Sequence, residues 1–259
     1  MSEIHLSVEF LPGFILVLGR VGGMVTFMPF LGTPSVPRWV RVSLALFLAL
    51  VIAPVAGPEL TTVPKDLAGM AVRFSGEVLI GLLFGLIGKI VFASLEIAGE
   101  LMGFQIGFSF IHTIDPNTDV ESPFIGMFLN LVGILVFLGV NGHHWFIQAV
   151  TQSYRLSGGS LSFPPGFVSS LLATAGEMFV LGFKVAAPVV LVMFLIDLLF
   201  GILGRTAPQI PLLIIGLPAK GLAGFVILAG MVYALVPVLT RQLGRIPAEL
   251  AHYLELVAG

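Results

Sequence analysis

A stripe of small and charged residues runs along one side of the longest apolar stretch in this chain. With residues placed every 100° around a helix, Gly81, Gly85, Lys89, Glu96, Gly99, Glu100, Gly103 and Gly107 all fall within about 60° of Glu96. Only Leu82, Phe92 and Ala93 share that sector. Hydrocarbon rejects such a face, because a carboxylate or ammonium at the helix centre costs roughly 2.5–3.5 kcal/mol on insertion scales. Glycine, having no Cβ, lets a second backbone come close. The stretch is therefore read as a membrane helix packed against protein, with partners in an assembly as the expected cover.

The rest of the chain supports a membrane setting. Hydrophobic residues make up 57% of it and charged residues 10%, and the mean hydropathy is +1.08. A water-soluble globule of that composition would expose far too much apolar surface. The net charge of −2 and the lack of a basic cluster give nucleic acid no purchase. There are no cysteines, which excludes disulfides and thiolate metal sites. The opening MSEIHLSVEF carries Glu3 and Glu9 where a cleaved signal needs a basic leader, so the first apolar run is expected to stay attached.

About six hydrophobic segments follow, at Phe10 to Leu31, Val42 to Gly57, Val78 to Phe110, Phe124 to Val150, Met178 to Gly204 and Ile210 to Thr240. The connections between them are too short to hold a soluble domain, which predicts a single all-α membrane domain over residues 1–259. Ordinary spans do not describe it well. Gly69 to Phe110 has no proline in 42 residues, about 60 Å of helix against a hydrocarbon layer of about 30 Å. That segment must bend, turn back or leave the bilayer. Lys65, Arg155, Arg241 and Arg245 would face one side and Arg38, Arg41 and Arg205 the other, which sets no orientation.

Nine charges, namely Arg20, Glu77, Lys89, Glu96, Glu100, Glu177, Lys184, Asp197 and Lys220, lie in or beside apolar stretches. Lys89 and Glu96 share a helix face, as do Glu177 and Lys184, and the mixture of signs suggests pairing within or between subunits. Proton or ion handling is the other reading of intramembrane ionisable groups. Pro188, Pro211, Pro218 and Pro237 are expected to interrupt the last two segments and free backbone carbonyls.

Catalysis finds little support. His143 and His144 in NGHHWF point about 100° apart on a helix, unlike the paired ligands of a HExxH zinc helix, and no carboxylate stands nearby in sequence. Asn141 and Gly142 read as a helix-boundary turn. Ser109 has only His112 within a turn, so no nucleophile has an assigned base. Neither a metal nor a cofactor is expected. One connector does stand out. In GFSFIHTIDPNTDVESP a glycine-rich helix runs into Phe108, Phe110, Ile111 and Ile114 and stops at Asp115 before Pro116. Apolar side chains on such a loop suit either a hydrophobic constriction that seals a pore or a re-entrant turn buried by neighbours.

At this loop the chain resembles the FliR family of flagellar export-gate proteins. The resemblance rests on GELMGFQIGFSFIHTIDPN (Gly99 to Asn117), NGHH (Asn141 to His144), GRTAPQIPLLIIGLPAKG (Gly204 to Gly221) and RVGGMVTFMPFLGTPSVPRWVRV (Arg20 to Val42). It covers nearly the whole chain in order, and a related subunit serves virulence type III secretion. It implies a non-enzymatic subunit of the type III export channel in the bacterial inner membrane, at the flagellar basal body. FliP and FliQ would be its assembly partners, FlhB and FlhA its neighbours, membrane lipid its surroundings and unfolded flagellar proteins its cargo. It also implies a FliP-like part up to about residue 170 and a FliQ-like part from about 171 to 259, both forming bent helical hairpins in a helical hetero-oligomer. By position, the plug loop would comprise Phe110, Ile111, His112, Thr113, Ile114, Asp115, Pro116 and Asn117. Gly81, Gly85, Gly99, Gly103 and Gly107 would then serve helix packing, and Lys89, Glu96, Glu100, Glu177, Lys184 and Asp197 polar contacts between subunits. The competing class is a proton-coupled small-solute transporter using Glu96, Glu100, Glu177 or Asp197 at a midplane cavity, for which an inverted repeat would speak.

Overall fold

The computed structural model describes residues 10–33, 35–56, 66–107, 124–157, 164–209 and 211–258. Among these there are eight helices and no strands: α1 (Phe10–Phe27), α2 (Arg38–Ala56), α3 (Leu67–Ile106), α4 (Phe124–Gly139), α5 (Gly142–Ser157), α6 (Phe167–Thr206), α7 (Leu212–Leu243) and α8 (Ile246–Ala258). Four helical stretches are long and apolar enough to cross a membrane, or five if α4 and α5 count as one broken span. The all-α membrane class expected from the sequence is the one observed.

Helix ends follow local chemistry. Asp66 caps α3 by accepting the Gly69 N–H at 2.7 Å, which satisfies one of the unpaired donors of the first turn. At the other end Gly107 takes φ 102, a left-handed conformation that glycine adopts without a Cβ penalty. Its N–H bonds back to the Gly103 and Phe104 carbonyls, both at 3.2 Å. Asn141 adopts φ 58 between α4 and α5, so the helix-boundary turn read at Asn141 and Gly142 is present.

One sequence expectation needs correction and one is narrowed. Of the three courses open to the long apolar segment, turning back is not taken between Leu67 and Ile106: α3 runs unbroken for 40 residues, about 60 Å. Nor do the prolines end helices, since Pro188 lies inside α6 and Pro218 and Pro237 lie inside α7. Only Pro211 sits at a boundary, where its carbonyl accepts the Ile214 N–H at 2.9 Å. The physical reason is that in an apolar medium a helix still satisfies nearly all backbone groups, so the bond lost at each proline costs less than opening the helix.

The chain divides into two compact units. The first draws on Met1–Ile90, Leu138–Leu171 and Leu243–Gly259, and the second on Val91–Phe137 and Leu172–Gln242. In the first, α1 pairs with α2, and α5 packs against α8, α2 and α1. Leu16, Val21 and Met24 of α1, Phe84 and Ile87 of α3 and Phe146 of α5 are all buried there. In the second, Phe92 and Phe137 meet edge to face with ring centroids 5.9 Å apart, beside buried Leu95 and Leu129.

Candidate functional site

In the first unit, glycines on α1 and α3 remove the side chains that would hold the two helices apart. A Cβ on Gly81 would fall on the Arg20 carbonyl oxygen, and one on Gly85 would lie 2.6 Å from the Met24 oxygen. From the opposite side, a Cβ on Gly23 would lie 2.5 Å from the Val78 oxygen. Real Cβ atoms cannot tolerate such distances, so this seam exists only because these residues are glycine.

The close approach carries Arg20 onto Glu77. Arg20 Nε donates to Glu77 Oε2 at 2.6 Å, with the two side chains 0% and 2% exposed. Arg20 Nη1 donates to Ser153 Oγ, and the guanidinium lies 3.8 Å from the centroid of the Tyr154 ring. The Tyr154 hydroxyl donates to the same Glu77 oxygen at 3.1 Å, and Arg73 Nε approaches the other at 3.8 Å. Neutral packing alone could not hold a guanidinium here, because a buried charge needs both a counter-ion and hydrogen bonds. Together these contacts tie α1, α3 and α5 at one point.

The second unit repeats the logic with other residues. A Cβ on Gly99 would fall on the Gly126 backbone, and one on Gly182 would lie 3.0 Å from the Ser94 oxygen. Lys220 Nζ donates to Asp197 Oδ1 at 2.7 Å, and Gln105 Nε2 donates to Asp197 Oδ2 at 3.1 Å. Asn130 Nδ2 donates to Glu96 Oε1 at 3.1 Å. The Asp197 side chain is 44% exposed and Lys220 16%. Asp197→Ala is therefore expected to cost about 1 to 3 kcal/mol, between the ranges for exposed and fully buried pairs. A double-mutant cycle with Lys220→Met, followed by thermal unfolding in detergent, should show the two losses coupled rather than additive.

Each residue singled out in the sequence can now be placed. Gly81, Gly85 and Gly99 are buried at helix contacts inside this chain, so at these positions the chain itself supplies the covering surface. Gly103 is buried, and Gly107 follows the last residue of α3, where an added Cβ would lie 3.3 Å from Leu217 Cδ2. Lys89, Glu96, Glu100, Glu177 and Lys184 are exposed, and the Lys89 ammonium lies 5.1 Å from the centroid of the Phe27 ring. The loop Phe110 to Asn117 lies outside the described residues. His143 and His144 stack at 4.2 Å, and among the described residues no three His, Cys, Asp or Glu side chains are grouped to hold a metal. Sequence reasoning missed the partners of Arg20. Opposite charges at Arg20 and Glu77, each near small residues, were the available signal, whereas nothing in sequence pointed to Tyr154 or Ser153.

Long apolar helices, glycine seams and ion pairs placed within apolar helices define an integral membrane protein built from closely packed helices. Its sequence matches the model of bacterial export proteins, family 1, over residues 11–246. It is similar to the flagellar biosynthetic protein FliR of Bacillus subtilis, at 33% identity covering 85% of this chain and 86% of the relative. For FliR of Caulobacter vibrioides the figures are 32%, 83% and 86%, and for FliR of Escherichia coli 29%, 84% and 83%. The chain belongs to the FliR family of bacterial export proteins.

Proposed function

We propose that this protein is a structural and gating subunit of the flagellar type III protein export channel in the bacterial inner membrane. It assembles with FliP and FliQ, works beside FlhB and FlhA, and passes unfolded flagellar proteins through a conduit shared by several chains. Residues up to about 170 form the FliP-like part and the remainder the FliQ-like part. Relatives that are flagellar biosynthetic proteins support the flagellar assignment.

The observation that carries the assembly reading is the outer surface of α6. Only 22% of its most apolar 18-residue window is buried, against 61% for α3. Phe179, Phe183, Leu191 and Phe194 stand exposed on it, and Lys184 lies midway along its length. Lipid suits the phenylalanines and leucines but not the ammonium, so a protein neighbour is the better cover. Polar contacts to neighbouring subunits come from Lys89, Glu96, Glu100, Glu177, Lys184 and Asp197, and Phe110 to Asn117 seal the pore at rest.

Two measurements test this. Coexpression with FliP and FliQ should yield a stable complex, whereas a chain that is monodisperse and stable alone would overturn the assembly role. Deleting Phe110 to Asn117 should raise passive ion leakage across the membrane while the complex still forms. Unchanged leakage through a correctly assembled mutant would remove the plug role.

A further inference from the structure

In the second unit a groove of about 610 Å³ runs between α3 and α6. Leu101 and Gln105 line it from α3, and Phe183, Ala187, Leu191 and Phe194 from α6. The four α6 residues recur at helical spacing, so they form one stripe about 17 Å long, about three turns of helix. Ala187, with a single side-chain carbon, leaves the stripe low between Phe183 and Leu191, which are 59% and 61% exposed. Large apolar side chains of an opposing helix pack into such a dip.

Among the described residues, Lys184 is the one charge in the lining. Elsewhere in this unit Lys220 is matched by Asp197, whose second oxygen accepts from Gln105. Lys184 is exposed and forms no ion pair among the described residues. Pro188 adds a second vacancy at the same place. Proline has no N–H, so the Lys184 carbonyl loses the helical donor four residues along. An ammonium without a counter-ion and a carbonyl without its donor therefore lie beside an apolar groove.

Neither surrounding medium suits this combination. Water would leave the apolar stripe uncovered, and lipid would leave the ammonium unpaired. A protein surface with matching chemistry covers both. Groove against groove, a second copy brings no carboxylate, because none lines it. The complement is an apolar helix with a negative charge placed within it.

We propose that this groove seats an apolar helix of a neighbouring subunit, and that a carboxylate on that helix pairs with Lys184. The proposal rests on the assembly reading above and adds where the neighbour docks and what it carries. It is tested on the full chain coexpressed and purified with its partner subunits, by carbodiimide coupling followed by peptide mass mapping. The reagent activates a carboxyl group, an amine in contact displaces it to form an amide, and the carbodiimide leaves as its urea. The expected product joins Lys184 Nζ to an Asp or Glu inside an apolar helix of another subunit. Lys184→Arg should keep that subunit while removing the cross-link, because a guanidinium holds the charge but does not couple. Lys184→Glu should lower recovery of the subunit about tenfold or more, the loss of a desolvated interfacial charge pair. Exchanging the partner's carboxylate for lysine should restore it. A cross-link from Lys184 to a carboxylate of this chain or of a second copy would overturn the proposal, as would no cross-link in an intact complex or full subunit recovery in Lys184→Glu. Each of those results leaves the assembly reading standing. A wild-type chain that copurifies no subunit defeats the assembly reading itself, and the proposal with it.

Discussion

Glu77→Ala should destabilise the protein by about 3–5 kcal/mol, the cost of leaving a buried guanidinium without its counter-charge. Arg20 has no route to water, since its side chain is 0% exposed. Ser153 and the Tyr154 ring remain, but neither carries a negative charge. Membrane abundance and the unfolding temperature of the detergent-solubilised protein should both fall sharply. The double variant Arg20→Met, Glu77→Leu should recover most of the loss, because replacing both members of a buried pair by apolar side chains is often neutral or better. If Glu77→Ala behaved like wild type, the Arg20 contacts could not be what joins α1 to α3.

Gly81→Ala should destabilise by about 3 kcal/mol, although it adds only one methyl group. The sign makes the test sharp. Inside a helix, Gly→Ala ordinarily gains about 0.8–1 kcal/mol from backbone propensity. Here the new Cβ would fall on the Arg20 carbonyl, which is rigid backbone, so α1 must move away and pull Arg20 from Glu77. Gly22→Ala serves as the control. With nothing within 4 Å of its Cβ, it should stabilise by about 0.5–1 kcal/mol in the same unfolding assay. A stabilised Gly81→Ala protein would mean that α1 and α3 are not in backbone contact.

The stripe on α3 was legible in sequence because helical periodicity projects Gly81, Gly85 and Gly99 onto one side without knowledge of neighbours. What meets each glycine was not. Gly81 finds α1 and Gly99 finds α4, contacts that bridge 61 and 27 positions of chain and leave no periodic trace. Helix ends at Asn141 and Gly142 were visible because turn chemistry is local. Prolines misled for a related reason: the rule that they break helices assumes water is ready to take up the freed carbonyl, and at Pro188 the surrounding sequence is apolar. The charges show the same division. That Arg20, Glu77, Asp197 and Lys220 needed partners followed from hydropathy alone, whereas the pairing of Arg20 with Glu77 and of Lys220 with Asp197 required the fold.

The uninterrupted α3 has a consequence for how cells must make this protein. Were its 40 residues straight and kept inside the oily layer, the helix would have to lean about 60° from the bilayer normal, beyond the inclinations that membrane helices adopt. A straight α3 would stand partly proud of the lipid, with its greasy side chains there shielded only by the polypeptide around them. In the proposed assembly, a newly made copy lacking its companions is a substrate for membrane proteolysis, and its level in the cell is expected to track the supply of those companions rather than its own rate of synthesis.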